Sequence, residues 1–419
     1  MNMDKQFTYQ KIASHEAKKG SFDRCLLLYS GGLDTSIMLK WIQEEYACSV
    51  VALTVDVGQL HEDLEAIKAK AVKLGAEEAV VIDAREEFAE KLLSRAIKAN
   101  ADYQGGYPLS TPLARVTLSE VAVRVAKERG IKVIAHGSTG KGNDQVRFEN
   151  YITTLDVTMK VIAPVREWSM GRDEQIEYAK QHNIPIKQNK EYLYSHDDNM
   201  WGSTNEGGDI EDPACIPDLR KFLQVCIPPE RAPDEPEIVE VGFNKGIPCS
   251  INGEDLSLCQ VIERANAVGA RHGVGIVHLT EDRLVGLKVR GVYEAPGAEI
   301  LIKAHFNLEK LVNTRDLNEL KKFIDEKWAY TCYGAKWFDP SMDAIHAFQD
   351  SANLRVKGTV KVKLFKGKAD VVAMKSPYSL FDANLATFNK DASFNQNASA
   401  GFIEIYNLAQ KTYRRLDQV

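Results

Sequence analysis

Positive charge is in deficit. Lys and Arg number 53 against 59 Asp and Glu, a formal charge of −6. A chain with that balance has no overall electrostatic reason to seek nucleic acid, and no such partner is expected. Long apolar runs are missing as well. Cys25–Tyr29 and Val50–Leu53 are typical, far short of the roughly 18 residues that span a bilayer, so no membrane partner is expected. The first 20 residues are polar and lack the apolar core of a secretory leader; they read as a flexible arm. Cysteine pairs are absent too. The seven cysteines are odd in number and none is spaced C-x-x-C. That disfavours a disulfide framework or a cysteine zinc site and favours a cytoplasmic location. Neither an internal repeat of about 20–50 residues nor a low-complexity tract is visible.

What is there is ordinary globular material, 44% hydrophobic over 419 residues, which at about 150 residues per domain suggests two or three domains. Up to about residue 165, strand-like runs alternate with helix-like ones. Cys25–Tyr29, Ser49–Val57, Ala79–Ile82, Ile131–Ala135 and Val161–Ala163 read as strands. Between them, Ile37–Tyr46, Glu62–Leu74, Glu86–Ala99 and Val116–Lys127 read as helices, followed by one from Gly171 to Asn183. This alternation predicts an α/β fold with a parallel sheet covered on both faces. Ligands bind such sheets outside the carboxyl ends of the strands.

Tyr194–Asp212 reads as loop, and Pro228–Pro236 as a surface connection. Beyond it the pattern changes to a second, α+β domain with an antiparallel component. Glu237–Phe243, Ile276–His278, Leu284–Val289, Glu299–His305, Gly358–Leu364 and Ala369–Met374 are its extended segments, and Leu256–Val268 is helical. Phe402, Ile405, Tyr406, Ala409, Tyr413 and Leu416 form an apolar stripe on a C-terminal helix.

Two glycine-rich segments follow strands. Ser30-Gly31-Gly32-Leu33-Asp34-Thr35-Ser36 joins a strand to a helix. Its glycines let backbone N–H groups approach an anion, its hydroxyls add donors, and the helix start adds partial positive charge. The plainer reading is a glycine turn with a helix cap, but three hydroxyls and a carboxylate at a strand's carboxyl end favour a phosphate nest. The second segment is Ala135–Glu149. It is a near miss for a P-loop, with Gly142 after Gly140-Lys141. Thr139, Lys141, Asn143, Asp144 and Arg147 supply donors, acceptors and cations that suit an amino acid and a phosphate together. His136 alone is more often structural than a base.

The first loop resembles the S-G-G-x-D-[ST]-S loop of the ATP pyrophosphatases, which cleave ATP between its α and β phosphates. With Gly58-Gln59, HGSTGKGNDQVRFE, KVIAPVREW, YSHDDNMWG and RGVYEAPGAEIL, the chain resembles the argininosuccinate synthase family over nearly its whole length. The resemblance implies an adenine-nucleotide α-hydrolase-like domain at 21–187, a synthetase domain at 188–385 and an oligomerisation tail at 386–419. It implies ATP and Mg²⁺ as cofactors, citrulline and aspartate as substrates, and a homotetramer.

By position, Tyr29, Ser30, Gly31, Gly32, Leu33, Asp34, Thr35 and Ser36 would hold ATP, with Val55 beside the adenine. Gly137, Thr139, Gly140, Lys141 and Gly142 would form the second wall. Citrulline would meet Tyr107, Thr111, Asn143, Arg147, Ser195, Thr204, Glu281 and Tyr293. Aspartate would meet Thr139, Asn143 and Asp144. Asp34, Asn143, Asp144 and Arg147 would carry the chemistry, with no dedicated metal ligands. Pro112 stands where the family usually places a serine.

Overall fold

A computed structural model describes residues 15–60, 63–168, 170–185, 193–386 and 395–416. Strands β1 (Arg24–Leu28), β2 (Ser49–Asp56), β3 (Glu78–Asp83), β4 (Val133–Ala135) and β5 (Lys160–Ile162) form one parallel sheet in the order β3-β2-β1-β4-β5. Register is set at the centre, where Leu26 lies opposite Val51 on one side and Ile134 on the other. Alternate residues enter different cores, as strands buried on both faces require. Leu26, Leu28, Val51 and Leu53 join one, while Cys25, Leu27, Val50 and Ala52 join the other. The helix Leu33–Glu45 covers the second face with Ile37, Met38, Leu39 and Ile42. The helix Ser110–Glu128 covers the first. The chain reverses direction of travel across the sheet between β1 and β4, and a crevice opens at their carboxyl ends.

The second half contributes β6 (Tyr194–Asn199), β7 (Gly202–Gly207), β8 (Glu237–Asn244), β9 (Ile247–Ile251), β10 (Glu254–Asp255), β11 (Ile276–Asp282), β12 (Lys288–Glu294), β13 (Gly358–Phe365) and β14 (Lys368–Lys375). They make two antiparallel sheets, β11-β12-β7-β6 and β10-β9-β8-β13-β14. The core that starts at Leu26 continues through Leu113, Trp201 and Tyr293 to Val360, so the two halves share it. Polar contacts stitch the same seam. Lys321 Nζ donates to the carbonyl of Lys98 at 2.7 Å, and Asn100 Nδ2 donates to Glu309 at 2.7 Å. The expected boundary at 187/188 lies outside the described residues.

Four expectations need correction. Tyr194–Asp212 is not loop but begins with the β6–β7 hairpin, whose polar residues face a cavity and so carry no apolar alternation. Leu284–Leu287 is the turn between β11 and β12, with its leucines part-exposed. Glu299–His305 lies inside the helix Pro296–Val312, which opens on proline at its first position. The C-terminal helix is two, Ala398–Tyr406 and Leu408–Leu416, parted at Asn407. The helices Arg315–Tyr333 and Pro340–Ala352 are additional to the expected elements.

Candidate active site

A cavity of about 650 Å³ opens at the carboxyl ends of β1, β2 and β4 and is closed from above by the β11-β12-β7-β6 sheet. The first glycine loop forms its floor. Gly31 adopts φ +73°, and its carbonyl accepts from Lys70 Nζ at 2.7 Å and from Ser36 Oγ at 3.4 Å. Ser30 and Thr35 share a hydroxyl contact at 3.1 Å, and Tyr29 and Ser36 share another at 3.2 Å. The helix that follows has Gly32 at its N-cap and no side-chain cap. Its first N–H groups are therefore left for an anion. Val55 lines the cavity, and its carbonyl accepts from Gln59 Nε2 at 2.9 Å.

The second loop is tied to the second half of the chain. Asn143 Nδ2 donates to the Tyr333 hydroxyl at 2.8 Å, and its Oδ1 accepts from the Leu284 N–H at 2.8 Å. Arg283 bridges Glu206 (2.7 Å) and the Lys141 carbonyl (3.3 Å). Register explains the roof. Asp197, Thr204 and Tyr293 lie opposite one another on β6, β7 and β12, so their side chains share one face. Tyr107 stacks on Tyr293 with ring centres 4.3 Å apart.

The electrostatic centre is a carboxylate between two guanidinium groups. Asp144 Oδ1 accepts from Arg147 at 2.9 Å, and Oδ2 accepts from Arg115 Nε at 3.0 Å. Burial pushes the Asp144 pKa up, but the two cations outweigh it and hold the group below the usual carboxylate range. Arg115 also donates to Asp197 at 2.7 Å, which Thr111 Oγ1 contacts at 2.9 Å. Arg147 is buried, with its Cζ 4.9 Å from the Tyr333 ring centre, and its Nε has no partner. Glu281 faces the same space. Burial raises its pKa against the pull of Arg147, and its Oε2 is unpartnered. Burial also raises Tyr107, Tyr293 and Tyr333, so these phenols remain donors.

Of the expected residues, the cavity gathers Tyr29, Ser30, Gly32, Leu33, Asp34, Thr35, Val55, Gly137, Thr139 and Gly142. It also gathers Tyr107, Thr111, Asn143, Asp144, Arg147, Ser195, Thr204, Glu281 and Tyr293. Gly31 and Ser36 lie behind the floor and shape it. Gly140 and Lys141 are exposed at the turn's apex, off the lining. Pro112 is buried in the first turn of the helix Ser110–Glu128, where no N–H is needed, and Thr111 beside it reaches the cavity.

Residues 24–185 match the family profile described as "Arginosuccinate synthase N-terminal HUP domain", and residues 194–413 match "Arginosuccinate synthase C-terminal domain". The argininosuccinate synthase of Symbiobacterium thermophilum is 46% identical over 390 residues, covering 93% of this chain and 97% of its own. That of Pyrococcus furiosus is 47% identical over 385 residues, 92% of this chain and 93% of its own. That of Anoxybacillus flavithermus is 47% identical over 390 residues, 93% and 96%. The chain belongs to the argininosuccinate synthase family.

Within this family member, sequence reasoning passed over Arg115, Asp197, Arg283 and Tyr333. Asp197 lies within YSHDDNMWG and Arg115 three residues beyond Pro112, and an arginine with an acidic pair was the available signal. Arg283 and Tyr333 arrive from a turn and a helix end that carry no motif.

Beneath the second loop, Glu149 is buried and accepts from Arg166 at 2.6 Å and His136 at 3.3 Å. Burial pushes its pKa up, but these two partners pull harder and leave it at about 2, against an ordinary 4.5. A shift of that size is worth on the order of 3 kcal/mol of folding stability. The folded value is depressed, so this stability is present above pH 4.5 and drains as the pH falls towards about 2. Glu149→Gln should therefore unfold at lower urea than the parent at pH 7 and show a flatter decline below pH 4.5. Parallel profiles for the two proteins would refute the assignment.

Proposed function

We propose that this cavity condenses citrulline with aspartate at the expense of ATP, releasing AMP and pyrophosphate. The arrangement that carries the reading is the Arg115–Asp144–Arg147 cluster facing an uncapped phosphate cradle within one cavity. The ureido oxygen of citrulline attacks the α-phosphorus, the bond to the bridging oxygen breaks, and pyrophosphate leaves. The aspartate amine then attacks the ureido carbon, the bond to the AMP oxygen breaks, and the amine gives up a proton. Positioning and charge neutralisation supply the catalysis.

The loop Tyr29–Ser36, with Gly137, Thr139 and Gly142 of the second loop, holds the nucleotide. Arg147 takes the carboxylate of citrulline, and Glu281 gains its missing partner from the α-ammonium. Tyr107, Thr111, Ser195, Thr204 and Tyr293 complete that subsite. Asp144 stays ionised and accepts from the attacking amino group of aspartate, with Asn143 and Thr139 beside it. Among the described residues no cluster of three His, Cys, Asp or Glu forms a metal cage. Asp34 with the Ser30 and Thr35 hydroxyls offers hard oxygens that would suit Mg²⁺, which would supply charge neutralisation for the pyrophosphate.

The test is pyrophosphate release from Mg-ATP with citrulline and aspartate added singly and together. Release that needs citrulline, with argininosuccinate formed only when aspartate is present, is expected. ATP binding with no release under any combination would mark a non-catalytic relative. The reading extends to a homotetramer in the cytoplasm. All seven cysteines are unpaired, and no helix among the described residues is long and apolar enough to cross a membrane. Phe402, Ile405, Tyr406, Tyr413 and Leu416 are exposed on the terminal helices and need cover. Truncation before Ala400 should lower the sedimentation coefficient from that of a tetramer; an unchanged value would refute the role of the tail.

A further inference from the structure

The two oxygens of Glu149 are divided between different partners. Oε1 takes both Arg166 and His136, and Oε2 takes the Nε2 of His15. The Oε1 side governs the second loop at both ends. His136 Nδ1 accepts from the Ser138 N–H at 3.2 Å, which fixes where the loop leaves β4. A ring that donates through Nε2 and accepts at Nδ1 satisfies both contacts of His136. Arg166 also donates to Gln145 Oε1 at 2.9 Å, and Gln145 Nε2 donates to the carbonyls of Gly140 (2.7 Å) and Gly142 (3.2 Å). Entry and exit of the loop are both referred to one carboxylate.

The Oε2 side is supplied by chain that precedes the family profile, which begins at residue 24. Glu16 lies parallel to Val161 on β5. The Val161 N–H donates to the His15 carbonyl at 2.7 Å, and the Ala17 N–H donates to the Val161 carbonyl at 3.1 Å. Further along, Lys19 pairs with Glu45 at 2.8 Å and sits 5.5 Å from the Trp41 ring centre. An edge strand with open backbone groups is thereby covered. The same segment brings a histidine to a carboxylate whose rotation would otherwise be soft, since the terminal torsion of glutamate is broad.

We propose that His15 is a positioning residue for the nucleotide, acting through Glu149 to hold His136 and Arg166, and with them the loop Gly137–Gly142. This rests on the reading of the cavity as an ATP site. His15 touches no substrate, so its loss should act on nucleotide affinity and spare the chemical step.

The test compares His15→Ala, His15→Gln and Lys19→Ala in the full chain, by steady-state kinetics and by calorimetric titration with Mg-ATP. His15→Ala should raise the KM and Kd for ATP about three- to fivefold, the scale of one part-exposed hydrogen bond. Its kcat and its KM for citrulline should stay within about twofold of the parent. His15→Gln keeps an N–H donor at similar reach and should restore most of the ATP affinity. Lys19→Ala loosens the segment away from Glu149 and should leave ATP affinity unchanged. Parental ATP affinity in His15→Ala would overturn the proposal. So would an equal loss in Lys19→Ala, which would make the effect one of general docking. If the parent releases no pyrophosphate, the functional reading falls, while the calorimetric comparison still decides the role of His15.

Discussion

Arg147→Ala should lower kcat/KM for citrulline by about 10²–10³-fold, the loss expected when a buried charged partner is truncated, while the KM for ATP should move by less than about threefold. The guanidinium is 3% exposed and held on three sides. Asp144 lies at 2.9 Å, the Tyr333 carbonyl at 3.3 Å, and the Tyr333 ring under its plane. Its Nε is the atom left without a partner. A carboxylate entering the cavity beside Arg147 meets a cation whose position is already fixed, so little ordering entropy remains to be lost on binding. Asp144 keeps Arg115 as a counter-ion in the variant, so its charge is not stranded. Arg147→Lys preserves charge without the planar fork and should recover only part of the loss. Initial rates against citrulline at saturating ATP and aspartate measure this. An unchanged citrulline dependence would remove Arg147 from that subsite, and an equal rise in the KM for ATP would mean the whole cavity had slackened.

The first sheet was legible because its strands are compact apolar runs that stop at or just before glycine, aspartate or proline, with helices of clear period between them. β6 and β7 were not legible. Tyr194–Asn199 and Gly202–Gly207 consist of polar residues and glycine, because one face of that hairpin lines a polar cavity. Burial of charge hid the helix Arg315–Tyr333. Lys321, Asp325 and Thr331 lie on its inward side, where Lys321 meets Glu309 at 3.1 Å, so no clean apolar stripe exists to be read. The site divides in the same way. The glycine loops announce themselves because backbone approach to an anion demands particular residues. Arg115 and Asp197 are separated by 82 positions and become a pair only through the fold. Arg283 and Tyr333 reach the cavity by packing alone.

The second large effect falls on Gly31. The sequence treats Gly31 and Gly32 alike, but the backbone places the demand on Gly31. Gly31 has φ +73°, and a Cβ there would stand 2.8 Å from Ile67 Cγ1 and 3.1 Å from Cγ2. Ile67 is β-branched and fixed on the helix Leu64–Lys73, so it cannot swing aside cheaply. An L-residue in the left-handed region adds about 1–2 kcal/mol of its own. The loop must shift to relieve both, and it is clamped to that helix by Lys70. A displacement of about 1 Å is enough to cost 10²-fold in a positioned reaction. Gly31→Ala should therefore reduce kcat for pyrophosphate release by about 10²-fold or more. Gly32 has φ −67°, and its added Cβ would meet only Ser30 Oγ at 3.4 Å. Gly32→Ala should cost about tenfold or less, because the anion cradle keeps its shape. The decisive measurement is the double variant. Ile67→Ala opens space beneath Gly31→Ala and should restore part of kcat, leaving the loss due to backbone strain. No recovery in the double variant would mean that contact with Ile67 does not limit the loop, and parental activity in Gly31→Ala would mean that the cradle tolerates the shift.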